Sequence, residues 1–184
     1  MSTDTAPIGS ISFFKGLGTT DLITIMQYTK TEDIEADTTV FHLGDPPNGL
    51  YVILKGRLRV YVPGKAGAPQ KTLVVLEPGA CVGEFGLIDG QPRSASVDTV
   101  EMCQLLYLPA PAFEIIVKTN PTVAKNVVSN LCQSVKTQKN IVYACDQDKD
   151  RIDREDLPPT LEVMQILSAL LRYHNKRVQI LGLK

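Results

Sequence analysis

The chain has no tryptophan, only two histidines and only four cysteines among its 184 residues. Each scarcity removes a class of chemistry. His42 and His174 cannot supply the several imidazoles of a cupin-type metal enzyme. Cys81, Cys103, Cys132 and Cys145 stand singly, without a C-x-x-C pair, so neither zinc nor dithiol redox chemistry is indicated, and reduced thiols in a cytoplasmic protein are expected. No apolar run approaches the roughly 20 residues of a membrane span, and Met1–Pro7 lacks the basic and apolar regions of a signal peptide, so no membrane partner is expected. Charge of one sign is missing too. A formal net charge of −1 gives no general attraction to nucleic acid, so any anion site must be local. There is no G-x-S-x-G elbow, no G-x-x-x-x-G-K-[ST] loop and no His beside Ser94, hence no catalytic constellation and no expectation of an enzyme. Asp146-x-Asp148-x-Asp150 begins like a calcium loop. It has Arg151 where the turn needs Gly and Leu157 where a bidentate Glu is needed, so no metal site is expected.

What is present changes texture along the chain. Residues 1–30 read as a polar arm followed by a short helix, with Thr19-Thr20-Asp21 capping Leu22, Ile23, Ile25 and Met26. Residues 31–109 carry β-rich runs at Asp33–Ala36, Thr38–His42, Leu50–Leu54, Arg57–Val62, Thr72–Leu76, Ala95–Thr99 and Cys103–Leu108. They are separated by clusters such as Gly44-Asp45-Pro46-Pro47-Asn48-Gly49, Lys55-Gly56 and Glu77-Pro78-Gly79. Such spacing predicts a mainly β fold, a jelly roll or small barrel, with flanking helices. Residues 110–146 turn helical. Pro111–Lys118 forms one helix, Asn120-Pro121 starts another, and Ala124, Val128, Leu131, Val135, Val142 and Cys145 recur at spacings of three and four. One face of this long helix suits the barrel and the other a homodimer seam or a partner protein. Gln138 interrupts the stripe as register control, solvated edge or ligand contact. Residues 147–184 form a charged connector and a helical tail carrying Leu161, Met164, Ile166, Leu167, Leu170 and Leu171, without a helix-turn-helix, so DNA reading is not expected.

The stretch of residues 81–97 has the parts of a pocket for one small anion. Gly83 and Gly86 let backbone amides approach a ligand, and Phe85, Leu87 and Ile88 form a short apolar turn beside them. Asp89-Gly90-Gln91-Pro92 reads as a tight turn that returns Arg93 to the same place, where its planar guanidinium can grip two phosphate oxygens. A carboxylate at Glu84 is repelled by phosphate unless it accepts a hydrogen bond from elsewhere on the ligand, such as a sugar hydroxyl.

Gly83-Glu84-Phe85-Gly86-Leu87-Ile88 with Pro92-Arg93-Ser94-Ala95 closely resembles the phosphate-binding cassette of cyclic-nucleotide-binding domains, as in catabolite-activator regulators, regulatory subunits of cAMP-dependent kinase and cyclic-nucleotide-gated channels. Phe14 to Leu17, Phe41 to Asp45, Leu50 to Ile53, Gly56 and Glu77 to Gly79 extend the likeness over roughly residues 13–145. The resemblance implies a jelly-roll (double-stranded β-helix) barrel and a cyclic-nucleotide sensor working through its C-terminal helices. It places Val82, Gly83, Glu84, Phe85, Arg93, Ser94 and Ala95 at the ligand. Arg93, with the cassette amides and Ser94, would neutralise the cyclic phosphate, and Glu84 would take the ribose 2′-hydroxyl. In the family, Ser or Ala after the Arg goes with cAMP and Thr with cGMP, so Ser94 implies cAMP favoured over cGMP. Thr137, Gln138 and Lys139 lie where bacterial relatives cap the base, which makes Gln138 the candidate contact. Two alternatives follow: a catabolite-activator-type transcription regulator without its DNA-binding part, and a degenerate scaffold that has lost its ligand.

Overall fold

Glycine and proline cut the middle of the chain into segments too short for helices, and the computed structural model, which describes residues 11–64 and 69–137 (side chains through 131), pairs those segments into two sheets. The strands are β1 (Lys30–Ile34), β2 (Thr39–Phe41), β3 (Gly49–Lys55), β4 (Leu58–Val62), β5 (Lys71–Leu76), β6 (Cys81–Val82), β7 (Ser96–Thr99) and β8 (Cys103–Pro109). The helices are α1 (Thr19–Met26), α2 (Glu84–Asp89), α3 (Ala110–Thr119) and α4 (Pro121–Thr137). One antiparallel sheet has the order β1-β8-β3-β6, and the other β2-β7-β4-β5. Apart from the β4–β5 hairpin, consecutive strands alternate between the sheets in jelly-roll fashion, and the molecule is mainly β with flanking helices.

Side-chain alternation along the strands divides the interior in two. Ile53, Leu58, Val82, Val97, Cys103 and Leu105 fill the space between the sheets. Leu50, Val52, Leu106 and Leu108 point the other way and meet Phe13, Phe14, Ile25, Phe113, Ile116, Val123, Val127 and Leu131 of the helical layer. The long helix is fixed at its start by Asn120, whose Oδ1 accepts from the backbone amides of Thr122 (3.1 Å) and Val123 (3.2 Å), with Pro121 as its first residue. Further along, Asn126 Nδ2 donates to the carbonyls of Phe13 (3.0 Å) and Lys15 (2.8 Å), tying α4 to the N-terminal turn.

Three local expectations are corrected. The first strand is Lys30–Ile34 rather than Asp33–Ala36, because it is a sheet edge whose residues are almost all exposed and so carry no hydrophobic alternation. A turn with Asp37 at φ 55° follows it. Thr19-Thr20-Asp21 do not cap α1 from outside. The helix already includes them, Gly18 is the N-cap, and no side chain bonds the first amides. Asp89-Gly90 closes α2 rather than forming a β-turn: Gly90 adopts φ 68° and its amide donates to the Gly86 carbonyl at 3.0 Å. The Val135, Val142 and Cys145 stripe and the apolar face of 161–171 lie outside the described residues or side chains.

Candidate functional site

β6 delivers the chain to Gly83, which sits at φ 95°, and the helix α2 starts immediately at Glu84. The left-handed backbone alone favours glycine here, and space requires it: a Cβ would stand 2.4 Å from Arg93 Nη1. After α2 the chain turns back. The Arg93 amide donates to the Asp45 carbonyl at 2.9 Å and its carbonyl accepts from the Gly44 amide at 2.9 Å, so the residue is stitched to the loop between β2 and β3.

Arg93 is only 3% exposed, and this burial costs its guanidinium solvation and pulls its pKa below the usual arginine value. Oxygen dipoles hold it rather than a carboxylate. Nη1 donates to the Gly83 carbonyl at 2.7 Å, and Nη2 to Asn48 Oδ1 at 3.0 Å and the Gly49 carbonyl at 2.6 Å. The Phe41 ring lies beneath, 4.2 Å from the guanidinium carbon, a cation–π contact that fixes the plane. Among the described residues no carboxylate lies within ion-pair distance of Arg93, and its buried Nε has no hydrogen-bond partner. A buried cation with an unsatisfied N–H at a cavity wall is the feature an anionic ligand would complete.

Glu84 shares that wall and is 7% exposed. Burial pushes its pKa up to about 7, against the opposing influence of its own backbone hydrogen bond and of Arg93. Burial, with Glu84 nearby, also raises the pKa of the Cys81 thiol. Val82, Gly83, Glu84, Phe85, Arg93, Ser94 and Ala95 all line one cavity, together with Phe41 and an aliphatic wall from Val60, Leu73, Val74 and Leu76. The structure thus brings the cassette residues to one place. Gln138, the remaining expected contact, lies outside the described residues.

Sequence reading missed Asn48, Gly49 and Phe41, which position Arg93, and the β5 wall. Asn48-Gly49 reads as turn punctuation and Phe41 as a strand residue. Only their pairing with Arg93 across 44 and more positions of chain reveals what they hold. Leu73 and Val74 both reach the cavity because the β4–β5 register shifts between Val60 and Tyr61, a bulge that sequence alternation does not show.

Comparison with known proteins agrees with this fold. Residues 31–120 match the family model of the cyclic nucleotide-binding domain. The chain is 28% identical over 123 residues to the cyclic AMP receptor protein of Thermus thermophilus, covering 67% of this chain and 56% of that protein. It is 27% identical over 118 residues to a cyclic nucleotide-gated potassium channel of Mesorhizobium japonicum, covering 64% of this chain and 31% of that one. It therefore spans only part of the curated relatives it matches. Among solved structures, the regulatory domain of Toxoplasma gondii PKA with cAMP superposes with a TM-score of 0.58 at 27% identity, covering 74% of this chain and 50% of that one. The Thermus thermophilus catabolite activator protein shares the fold with a TM-score of 0.64 at 23% identity, over 91% of this chain and 84% of that one.

Proposed function

Because residues 31–120 form a cyclic nucleotide-binding domain, we propose that the chain is a sensor that binds cAMP in preference to cGMP and passes occupancy on through its C-terminal helices. The observation that carries this is Arg93: buried, unpaired by any described carboxylate, with a free Nε on the wall of a cavity that Glu84 shares. The cyclic phosphate completes the guanidinium, and Glu84 accepts the ribose 2′-hydroxyl. The aliphatic wall of Val60, Leu73, Val74 and Leu76 takes the base. Preference for cAMP is supported by Ser94 after the arginine, by the relative named as a cyclic AMP receptor protein and by the cAMP co-crystal of the Toxoplasma domain.

Transmission is supported by the two faces of α2. Its first residues border the cavity while Ile88, with Phe85 and Leu87 beside it, packs into the core that the helical layer occupies. We read the protein as a regulatory module rather than an enzyme, cytoplasmic, acting as a homodimer or on a partner protein. No described helix is long and apolar enough to cross a membrane. Isothermal titration of the full chain with cAMP and cGMP tests the reading. Saturable binding with cAMP tighter is expected, equal affinity would refute the selectivity, and no binding of either would refute the function.

A further inference from the structure

The loop between β2 and β3 closes on Arg93 from several sides. Main-chain bonds join Arg93 to Gly44 and Asp45 at 2.9 Å each, and Nη2 reaches Asn48 Oδ1 and the Gly49 carbonyl. Pro47 presses on the cassette helix as well: a Cβ added to Gly86 would lie 2.5 Å from Pro47 Cβ. At the far end of the loop the Asn48 carbonyl accepts two hydrogen bonds, from the Ala110 amide that begins α3 (2.9 Å) and from Tyr107 Oη (2.9 Å). One residue therefore holds the guanidinium with its side chain and the start of a helix with its main chain.

We propose that Asn48 is a positioning residue that carries the state of Arg93 to α3, so that an anion bound at Arg93 orders the first turn of that helix. The inference rests on the cyclic-nucleotide reading above. A guanidinium has five N–H donors. Bonds to Gly83, Asn48 and Gly49 engage three of them, which leaves Nε–H and one Nη1 N–H for the ligand. The phosphate thus adds to the existing bonds instead of displacing them. It tightens the fork already laid on Phe41 and, through Nη2, the hold on the Asn48 amide, while chained hydrogen bonds polarise one another. Asn48 is itself exposed, so its side chain is not needed to fill the core, and coupling can be separated from folding.

The test is hydrogen–deuterium exchange of the full chain, free and saturated with cAMP, alongside calorimetry, for wild type, Asn48→Ala and Asn48→Asp. In wild type, cAMP should slow exchange of the Ala110 amide and of the first turn of α3 about tenfold or more. Asn48→Ala should bind more weakly and, at saturation, lose most of that slowing. Asn48→Asp keeps an oxygen for Nη2 and should restore it. Binding by wild type with α3 protection indifferent to the Ala variant, or unrestored by the Asp variant, overturns the relay alone. Failure of wild type to bind cAMP or cGMP overturns the functional reading and the relay with it.

Discussion

A buried arginine that donates to three oxygens and keeps its Nε–H and one Nη1 N–H idle is organised differently from one in a structural salt bridge. At Arg93 the surrounding dipoles hold the side chain in place without cancelling its charge. Arg93→Lys retains a charge but loses the planar fork, and Arg93→Ala also leaves the Gly83 and Gly49 carbonyls without this donor. Either change should weaken cAMP binding by about 2–5 kcal/mol, read by calorimetry, and unchanged affinity would remove Arg93 from the site. Glu84 makes a pH-dependent prediction. Between about pH 4.5 and about 7 the folded protein holds a proton on Glu84 that the unfolded chain has released, so stability falls as pH rises across that window. The contribution is fully present below the unfolded pKa, is lost as pH passes about 7, and amounts to about 3 kcal/mol. In the ligand-free protein Glu84→Gln should flatten this slope, matching wild type in thermal unfolding near pH 4.5 and exceeding it at pH 8. Parallel profiles would mean that Glu84 is solvated. In binding, a 2′-deoxy analogue should lose affinity against wild type but little against Glu84→Gln, since the acceptor is already impaired.

At the scale of elements, local chemistry shows where pieces begin and end, and long-range pairing decides what they serve. Asn120-Pro121 is a helix start readable from two residues, and the structure gives Asn120 both first-turn amides. Asn120→Ala should lower stability by about 1 kcal/mol, a fall of several degrees in the melting midpoint, and an unmoved midpoint would show the cap to be redundant. The strands in the middle of the chain were legible because turn residues punctuate them, and the cassette because Gly83, Glu84 and Arg93 each have a distinct chemical use. β1 was displaced because an exposed edge strand of Lys30, Thr31, Glu32 and Asp33 has no buried face to betray its period. β6 was invisible as two residues, held by β3 rather than by any propensity of Cys81-Val82. Asn48 was unreadable for the same reason. Its partners Arg93, Tyr107 and Ala110 are remote in sequence, and nothing within the Pro47-Asn48-Gly49 turn refers to them.

For the whole molecule the question is whether two cores act as one. The space between the sheets and the layer between sheet and helices share no side chains, because strand alternation sends successive residues to opposite faces. The cassette joins them: Val82 belongs to the first, Ile88 to the second, and Gly83 and Glu84 between them border the cavity. A ligand gripped there stabilises only what is cooperative with it. If the cores melt together, cAMP at 100 times its dissociation constant adds about 2.7 kcal/mol to the folded state and raises the melting midpoint by several degrees for every probe. The absence of tryptophan makes near-ultraviolet tyrosine dichroism a usable report of tertiary packing, with Tyr51 and Tyr107 half-buried at the barrel, while far-ultraviolet dichroism follows the helices. Both signals should rise together in wild type, and neither should rise in Arg93→Ala. A shift confined to the tyrosine signal would mean that the ligand holds the barrel without engaging the helices, and the sensor reading would then lose its output while keeping its input.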